Sequence, residues 1–245
     1  MATFDVRIGT AGWSIPAAVA DRFPGEGSHL ERYARVMNAA EINTSFHRPH
    51  KRTTYERWAA STPDGFRFSV KVPRLLTHDQ RLADPEAVLD RFAGEAAGLG
   101  EKLAVVLVQL PPSLKFDEDV AAAFFDALQA RIDAAVACEP RHPDWFTPET
   151  DAWLADRRIA RVAADPAKPA GAESPGGWRG LTYVRLHGSP RMYYSAYSPE
   201  VLADTAETLR REAADAPTWC ILDNTAGSAA LPDALTVRAA TGQEP

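Results

Sequence analysis

Short apolar runs alternate with amphipathic stretches along the chain, and most runs end in polar or glycine-containing segments. Brief β-branched or apolar runs are typical of buried strands, whereas apolar residues three or four positions apart predict helices. The pattern predicts eight strands, at residues Phe4–Ile8, Ala40–Asn43, Phe66–Val72, Leu103–Gln109, Ala134–Glu139, Ile159–Ala164, Leu181–Leu186 and Trp219–Leu222. The unbroken run of the fourth predicted strand favours burial on both faces of a parallel sheet.

A helical pattern follows nearly every predicted strand. Helices are predicted at about residues 30–37, 53–60, 84–99, 117–131, 147–157 and 198–214, and a last helix begins near residue 229. After the sixth strand, residues 166–180 are rich in proline and glycine and show no helical period. We therefore expect a loop there in place of a helix.

The order of these elements predicts the fold class. Eight strands alternating with helices in 245 residues favour an α/β fold, a single (β/α)8 TIM barrel that forms one domain over residues 1–245. A doubly wound open sheet is the alternative, but its glycine fingerprint is missing. Gly9 and Gly12 do not form G-x-G-x-x-G, and no P-loop occurs.

Composition and charge narrow the class of protein. A net charge of −6 argues against a broad nucleic-acid-binding surface but leaves room for a local basic pocket. Cys138 and Cys220 fall in predicted buried strands, which is typical of reduced, hydrophobic cysteines. The N-terminus lacks a secretory pattern, and the longest aliphatic run, Leu103 to Val108, is too short to span a membrane. We expect a cytoplasmic protein with no membrane partner.

Polar or ionisable residues end nearly every predicted strand after the first. They are Glu41, Asn43, Lys71, Gln109, Glu139, Arg141, His142, Asp165, Arg185, His187, Asp223 and Asn224. In a TIM barrel the chemistry lies at the C-terminal ends of the strands, so these residues predict one polar pocket.

The densest group follows the fifth strand. Glu139 closes a buried run, and Arg141 and His142 follow within three positions between two prolines. A charge at this place is costly unless it is paired or used. A structural salt bridge between Glu139 and Arg141 is the alternative to a functional role.

The residue types predict acid/base chemistry on an anionic ligand. Carboxylates and imidazole transfer protons, and arginine forks match phosphate or carboxylate groups. Lys71 on a buried strand suits a Schiff base, although a role as charge partner of Glu41 or Glu139 is the alternative. The predicted catalytic residues are Glu139, Glu41, His187 and Lys71. The predicted substrate-binding residues are Trp13, Asn43, His78, Gln109, Arg141, His142, Trp145, Arg185 and Asn224.

Aromatic side chains fall on the loops at the same strand ends. They are Trp13, Phe46, Trp145, Tyr193, Tyr194 and Tyr197. Such rings can cover a barrel mouth, which we favour, or stack on a sugar or a base. The second interpretation keeps a nucleic-acid ligand as an alternative.

A metal site is a further alternative. Imidazole and carboxylate suit zinc or manganese, and the candidate ligands are His47, His78, His142 and His187 with Glu41, Glu139 and Asp165. No local ligand spacing supports them, and neighbouring cations oppose a metal. The sequence therefore predicts no metal ligand and requires no cofactor, with a divalent metal as the less favoured alternative.

Six ordered motifs resemble the YecE-like family, domain of unknown function 72. They are Ile8–Trp13, Glu41–Phe46, Phe68–Lys71 with Thr77–His78, Gln109–Pro112, Glu139–Phe146 and Tyr183–Gly188. The resemblance covers about residues 6–235 and implies a TIM barrel with its pocket at the strand ends above, but no reaction. The chain departs from the family at His47, where Tyr is commoner, at Pro140, where an aromatic is usual, and at Asp223-Asn224, a variant of paired Asn.

Together these features predict an enzyme that acts on a small, anionic, hydroxyl-rich substrate, phosphorylated or carboxylated. Hydrolysis is favoured over isomerisation and lyase chemistry. Glu139 is the expected acid or base, with Glu41 or His187 as its partner. A nucleic-acid-processing or nucleotide-binding protein and a non-catalytic ligand sensor are the alternatives, and the acidic net charge disfavours the first of them.

Overall fold

Parallel strands alternate with helices in the computed structural model, which describes residues 6–243. The strands are β1 Val6–Thr10, β2 Ala39–Ile42, β3 Arg67–Lys71, β4 Leu103–Gln109, β5 Ala135–Glu139, β6 Ile159–Arg161, β7 Ala163–Asp165, β8 Gly176–Gly177, β9 Thr182–Leu186 and β10 Thr218–Leu222. The α-helices are α1 His29–Ala34, α2 Arg52–Ala60, α3 Glu86–Ala96, α4 Glu118–Gln129, α5 Pro148–Asp156, α6 Pro199–Glu212 and α7 Ala230–Ala240. The predicted start of the first strand at Phe4 lies outside the described residues.

The strands form two sheets, in the orders β1-β10-β9-β7 and β2-β3-β4-β5-β6-β8. All the described pairings are parallel except that of β8 with β6. The chain therefore has an α/β fold with parallel sheets, as predicted at that level. The predicted sixth strand is divided between the sheets, because β6 pairs with β5 and β7 pairs with β9.

The two sheets adjoin at two places. At one of them the chain passes from β6 to β7 through Val162 alone, and the Val162 N–H extends the pairing of β6 with β5 by donating to the Cys138 carbonyl at 2.9 Å. At the other edges Ala11 and Glu41 form a parallel bridge, and Gly12 donates its N–H to the Glu41 carbonyl at 2.8 Å. Any Cβ at Gly9 would clash with the carbonyl of Ala39, so glycine is required where β1 approaches β2.

The segment between β7 and β9 contains turns and the short strand β8 rather than a helix, as expected. Arg161 holds this segment in place by donating to the carbonyls of Gly171 and Ser174, at 2.9 and 3.2 Å. Its Nε donates to Asp151 Oδ1 at 2.7 Å, and the same oxygen accepts from Gly177 N–H at 2.9 Å. One buried arginine therefore supplies the contacts that a packed helix would otherwise make.

The structure differs from the predicted helices in two details. It contains a π-helical turn over Leu75–Asp79, between β3 and the predicted helix at residues 84–99, where Leu76 is fully buried. The predicted helix at residues 84–99 ends at Ala96 and continues as a 3-10 helix, Ala97–Lys102, that contains Gly100 at φ 54°. Turns this short carry too few residues for a periodic pattern to reveal them.

The strands bury both of their faces, since successive residues point to opposite sides. One face packs against the helices and includes Ile8, Val70, Val106, Cys138 and Cys220. The two cysteines are free and buried, which confirms the expectation that they are not disulfide-bonded. No helix among residues 6–243 is long and apolar enough to cross a bilayer.

The opposite face changes character along the strands. Its N-terminal part is a second apolar cluster that includes Ala39, Val105, Leu107, Tyr183 and Trp219. Two residues further on, the same alternation places ionisable side chains at the C-terminal ends. These are Glu41, Lys71, Glu139, Arg185 and Asp223, all buried.

Candidate active site

Arg185 lies at the centre of the charged face and is completely buried. Its Nε and Nη2 donate to the two carboxylate oxygens of Glu41, at 3.0 and 2.7 Å. Nη1 donates to Glu139 Oε2 at 2.6 Å, and Nη2 also donates to Asp223 Oδ2 at 3.0 Å. Three carboxylates, from β2, β5 and the residue after β10, therefore surround one cation.

This position corrects the prediction that Arg185 binds an anionic group of the substrate. Its donors already serve carboxylates of the protein, and the remaining direction of Nη1 faces His187 Nε2 at 3.5 Å. Burial by itself lowers the pKa of Arg185, but the three carboxylates raise it well above its ordinary value. Arg185 is thus the permanent counter-ion that allows the carboxylates to remain charged in the interior.

Glu139 receives cations on both of its oxygens. The chain turns back after β5, so that Arg141 Nε donates to Glu139 Oε1 at 2.8 Å and Arg141 Nη2 bonds to the same oxygen. Burial alone raises the pKa of Glu139, but Arg185, His187 and Arg141 together hold it well below its ordinary value. The Glu139–Arg141 salt bridge considered from the sequence is present, within a larger cluster.

His187 connects two carboxylates of this cluster. Its Nδ1 lies 3.2 Å from Asp223 Oδ2, and its Nε2 lies 3.0 Å from Glu139 Oε1 and 2.9 Å from Arg141 Nη2. Because Nδ1 faces a carboxylate, Nδ1 carries a proton and donates it. Nε2 can accept from Arg141 when the ring is neutral, or donate to Glu139 when the ring is protonated.

Asp223 orients the histidine and also accepts from Arg185. Burial alone raises the pKa of Asp223, but Arg185 and His187 lower it overall. The sequence places Asp223 among the carboxylates at the strand ends but not among the predicted catalytic or substrate-binding residues. The structure makes it a full member of the cluster.

Lys71 is the cation of the cluster whose charge has no direct partner. The residue is 5% exposed, and its Nζ lies 4.2 Å from the centroid of the Phe46 ring. Within residues 6–243, Nζ donates no hydrogen bond and forms no ion pair. Burial, with a further contribution from Arg185, lowers the pKa of Lys71 to about 8, although the three carboxylates oppose this change.

Tyr183 and Ser69 were missed by the sequence reasoning. Tyr183 Oη donates to Glu41 Oε2 at 3.0 Å and lies 2.8 Å from Ser69 Oγ. Burial and the neighbouring Glu41 raise the pKa of Tyr183 well above its ordinary value, so its hydroxyl is a donor. A signal was available, because Tyr183 and Ser69 each lie two residues before a cation of the cluster, on the same face.

Tyr193 covers the cluster from the loop after β9. Its ring packs edge-on against His187 with centroids 5.7 Å apart, and the residue is 38% exposed. Burial and the charge of Asp223 raise the pKa of Tyr193. One side of this phenol therefore faces solvent while the other faces the charged residues.

A cavity of about 290 Å³ borders Glu41 at the ends of β1 and β2. Its lining includes Trp13 and Asn43, two of the predicted substrate-binding residues, together with His47 and Trp58. Trp13 packs edge-on against Trp58 at 5.1 Å, and Asn43 Oδ1 is buried without a hydrogen-bond partner in the described chain. The cavity offers an aromatic wall and an unused acceptor beside a carboxylate.

Two further predicted residues flank the cluster. Gln109 ends β4 and pairs in register with Glu139. His78 lies in the π-helical turn, with Nδ1 2.9 Å from Thr77 Oγ1 and its ring 5.1 Å from that of Phe46. Burial, with Arg74 and Lys71, lowers the pKa of His78. The binding roles of Gln109 and His78 stay predictions.

Two other predicted substrate-binding residues, His142 and Asn224, form hydrogen bonds within the protein. His142 Nδ1 accepts from the Asp144 N–H at 3.2 Å and so begins the turn Pro143–Phe146. Asn224 is buried, and its Nδ2 donates to the Ser195 carbonyl and to Asp233 Oδ2, at 3.0 and 2.8 Å. Its Oδ1 has no partner among the described residues, so one acceptor of Asn224 is unused.

The prediction that Trp145 binds substrate is corrected, because Trp145 lies in the core and not at a surface that a ligand could reach. It is 1% exposed, its Nε1 donates to the Leu114 carbonyl at 3.0 Å, and its ring packs edge-on against Phe116 at 4.9 Å. Tyr197, expected to cover the pocket, is likewise buried, and its hydroxyl donates to Asp165 Oδ1 at 2.8 Å.

The predicted catalytic residues Glu41, Glu139 and His187 meet around Arg185, and Lys71 lies close enough for its charge to interact with that group. Their chemical roles stay predictions. No three His, Cys, Asp or Glu side chains within residues 6–243 are arranged to hold a metal ion, since Arg185 occupies the space between the carboxylates.

Comparison with known families gives one match over nearly the whole chain. The family model described as "Protein of unknown function DUF72" matches residues 7–245. UPF0759 protein YecE of Escherichia coli is 29% identical over 176 residues, which are 69% of this chain and 62% of that protein. UPF0759 protein YunF of Bacillus subtilis is 27% identical over 149 residues, 58% of this chain and 53% of that protein. The chain thus spans less than two thirds of these curated relatives.

Solved structures of DUF72 family proteins share the fold. One from Enterococcus faecalis has a TM-score of 0.82 and 20% identity, covering 97% of this chain and 96% of that chain. One from Thermotoga maritima has a TM-score of 0.77 and 23% identity, covering 96% and 98%. At these identities the likeness concerns the fold alone.

Proposed function

The chain belongs to the family described as Protein of unknown function DUF72, and from that premise we propose that it is an enzyme acting by acid/base chemistry. The proposed substrate is small, anionic and hydroxyl-rich, phosphorylated or carboxylated. The proposed site is the cluster of Glu41, Glu139, His187, Arg141 and Lys71 at the C-terminal ends of the strands. Hydrolysis is the favoured reaction, with isomerisation and lyase chemistry as alternatives, because such a fold hosts many reactions.

We also propose that the two sheets close into a single (β/α)8 barrel over residues 1–245. Two observations support closure: the bridge of Ala11 with Glu41, and the single residue, Val162, through which the chain passes from β6 in one sheet to β7 in the other. Counting β6 and β7 as one position, and leaving out β8, the order of the strands returns to β1 after eight positions. Closure would place the charged face inside the barrel, at its C-terminal end.

The position of His187 is the observation that carries the proposed acid/base role. Asp223 fixes the ring through Nδ1, while Nε2 lies at 3.0 Å from Glu139 and 2.9 Å from Arg141. A histidine oriented by a carboxylate, with its other nitrogen placed between an acceptor and a donor, can take up or release a proton without moving. Glu139, held ionised by its cations, stabilises the protonated ring.

The surroundings support the proposed substrate class. The Arg141 side chain is 10% exposed, and Lys71 has no hydrogen-bond acceptor within residues 6–243, so both cations can attract an anionic group. The unused acceptor of Asn43 and the Trp13 wall of the neighbouring cavity suit hydroxyl groups and the face of a sugar. A cytoplasmic location stays a prediction of the sequence.

A panel of phosphosugars and sugar acids tests this proposal, first by thermal shift and then by mass spectrometry for products. A ligand at 100 times its Kd stabilises the protein by about 2.7 kcal/mol, which is readily measured. We expect His187→Gln to retain binding and to lose turnover by about 10²-fold or more. The matched control is Glu207→Gln, on the exposed surface of α6, which should behave as the wild type. Unchanged turnover in His187→Gln would overturn the acid/base role.

A nucleic-acid ligand is the second candidate, because aromatic and cationic groups are exposed beside the cluster. Tyr193 and Tyr194 are 38% and 46% exposed, and the Arg191 guanidinium lies 3.9 Å from the Tyr194 ring centroid. Such rings can stack on bases. Binding of a single-stranded oligonucleotide that weakens steeply with salt and is lost in Tyr194→Ala would favour this candidate. Oligonucleotide binding that is the same at high salt and in Tyr194→Ala would contradict this candidate.

A further inference from the structure

The cations at the C-terminal ends of the strands differ in how their donors are used. Arg185 bonds to three carboxylates, and Arg141 bonds to Glu139 and His187. Lys71 lies beside them with no acceptor for any N–H of its Nζ among the described residues. A primary amine without hydrogen bonds has a lone pair that becomes available as soon as the amine loses its proton.

The contact that holds Lys71 is with an aromatic ring. Its Nζ faces the ring of Phe46 at 4.2 Å, and the Phe46 ring is itself packed edge-on against His47 and His78, at 5.0 and 5.1 Å. Such a contact positions the ammonium over the ring but uses none of its N–H donors in a hydrogen bond. The strand end therefore holds an amine in a fixed place, with its N–H donors not used by the described residues.

Lys102 provides an internal reference, because it is the other lysine with a partly buried side chain. Its Nζ donates to the carbonyls of Ala59 and Thr62, at 2.7 and 2.5 Å, and to Thr62 Oγ1 at 3.1 Å. All three N–H groups are used, so Lys102 is a structural lysine. The same residue type is thus satisfied at one end of the strands and left without acceptors at the other.

We propose that Lys71 is the nucleophile of the site and that the substrate is an aldehyde or ketone bearing an anionic group, captured as an imine on Nζ. This inference rests on the proposed function, since it assigns the substrate class of the same site, and it follows the lyase alternative rather than hydrolysis. In the first step the nitrogen lone pair forms a C–N bond, the carbonyl π electrons move to oxygen, and one proton passes from nitrogen to oxygen. The product is a carbinolamine.

The second step needs an acid, which the cluster supplies. The carbinolamine oxygen takes a proton from a neighbouring group, for which protonated His187 is the candidate, and leaves as water. The nitrogen lone pair then forms the C=N bond, which gives a protonated imine. That cation lies near Glu41, Glu139 and Asp223, whose charges already act on Nζ, and their attraction stabilises it.

The acidity of Lys71 supports the inference. Burial, with a contribution from Arg185, lowers the pKa of Lys71 from 10.5 to about 8. At pH 7 the free-amine fraction of Lys71 is therefore about 300-fold larger than that of a lysine with the ordinary pKa. The chain has five lysines, so selectivity for one of them can be read directly. They are Lys51, Lys71, Lys102, Lys115 and Lys168.

Reductive trapping of the full chain tests the inference. Pyruvate and glycolaldehyde phosphate serve as anionic carbonyl probes with cyanoborohydride at pH 7, and peptide mapping by mass spectrometry locates the secondary amine. We expect the adduct on Lys71 at least 10-fold faster than on any other lysine. The adduct should disappear in Lys71→Met and persist in Lys102→Met. Mapping in the wild type keeps the test valid if a variant does not fold.

The alcohol analogues lactate and ethylene glycol phosphate separate this inference from the proposed function. They cannot form an imine, so thermal stabilisation by them that is lost in Arg141→Met reports the anion site alone. If the analogues stabilise the protein but the adducts spread over the exposed lysines without favouring Lys71, the imine is overturned and the acid/base proposal stands. If the analogues do not stabilise the protein and no adduct forms on Lys71, both proposals are overturned.

Discussion

At the N-terminal ends of the strands Lys102 and Asn38 bond mainly to backbone groups, whereas at the C-terminal ends the charged side chains around Arg185 bond to one another. Before β4, Lys102 caps the carbonyls of Ala59 and Thr62. Before β2, Asn38 donates to the Val6 carbonyl and accepts from the Ile8 N–H, both at 2.9 Å. At the opposite ends, the donors of Arg185 go to carboxylates.

The difference separates stability from chemistry. A backbone carbonyl does not titrate, so the contacts of Lys102 and Asn38 cannot pass protons to their acceptors and only hold the strands in place. Carboxylates, imidazole and an amine in mutual contact can exchange protons, but they need several cations and anions to be buried together. The C-terminal end therefore contains more ionisable groups than neutrality or packing requires. This is the pattern of a site.

Replacing Arg185 by methionine should have the largest effect. Arg185→Met leaves three buried carboxylates without their common partner, and removing one member of a buried ion group costs about 3–5 kcal/mol. Urea unfolding at pH 7 measures the loss. A loss below about 1 kcal/mol would mean that water enters the cluster freely and that its burial was misjudged.

The pH dependence of Lys71 should come next. Its folded-state pKa of about 8 lies below the ordinary 10.5, so between these values the unfolded chain binds more protons and wild-type stability should rise with pH. The full change corresponds to roughly 3 kcal/mol, present as a penalty below pH 8. The unfolding free energy of the wild type minus that of Lys71→Met should therefore increase from pH 8 to 10.5. A flat difference would contradict the lowered pKa.

Lys102→Met should lower the free energy of unfolding by a smaller amount, because Lys102 stabilises the fold whereas the buried charge of Lys71 destabilises it. It removes three hydrogen bonds and leaves buried carbonyl acceptors, which costs about 1–3 kcal/mol. The cost should not change between pH 6 and pH 8, since carbonyls do not titrate. If Lys102→Met instead abolished ligand binding while the fold persisted, the two ends of the strands would not be functionally distinct.

Tyr193→Phe should have the smallest effect on stability, within about 0.5 kcal/mol, because the residue is partly exposed and its ring contact with His187 is kept. The hydroxyl faces the charged cluster, so any change should appear in ligand affinity or in the pH profile. Calorimetry with a ligand found in the screen measures this, with Tyr194→Phe as the matched control. Equal affinities in wild type and both variants would remove Tyr193 from the site.

Much of the site could be predicted from the sequence, because one rule places it. Strand alternation and the known location of chemistry in this fold class brought Glu41, Glu139 and His187 to one end, and the structure joins them around Arg185. The rule predicts where a residue lies along a strand but not which partner its side chain contacts. It could not show that Arg185 donates to the protein's own carboxylates, or that Trp145 packs in the core.

The fold could be predicted where the hydrophobic pattern extends over many residues, and the prediction fails where the pattern is short. The extended apolar run of β4 and the periodic helices α4 and α6 agree with the prediction. The π-helical turn after β3 and the division of the sixth strand depend on contacts with distant residues. The N–H of Val162, for example, bonds to Cys138, and no local pattern encodes that partner.

A direct titration of the five lysines tests the central claim, that the C-terminal ends of the strands contain an amine without an acceptor. Isotope-labelled lysine side chains give one resolved NMR signal each, and Lys71→Met assigns the relevant one. We predict that the Lys71 signal titrates near pH 8, well below the ordinary lysine value of 10.5. A Lys71 pKa at or above 10.5 would mean that its ammonium is held by an acceptor, and would contradict the account.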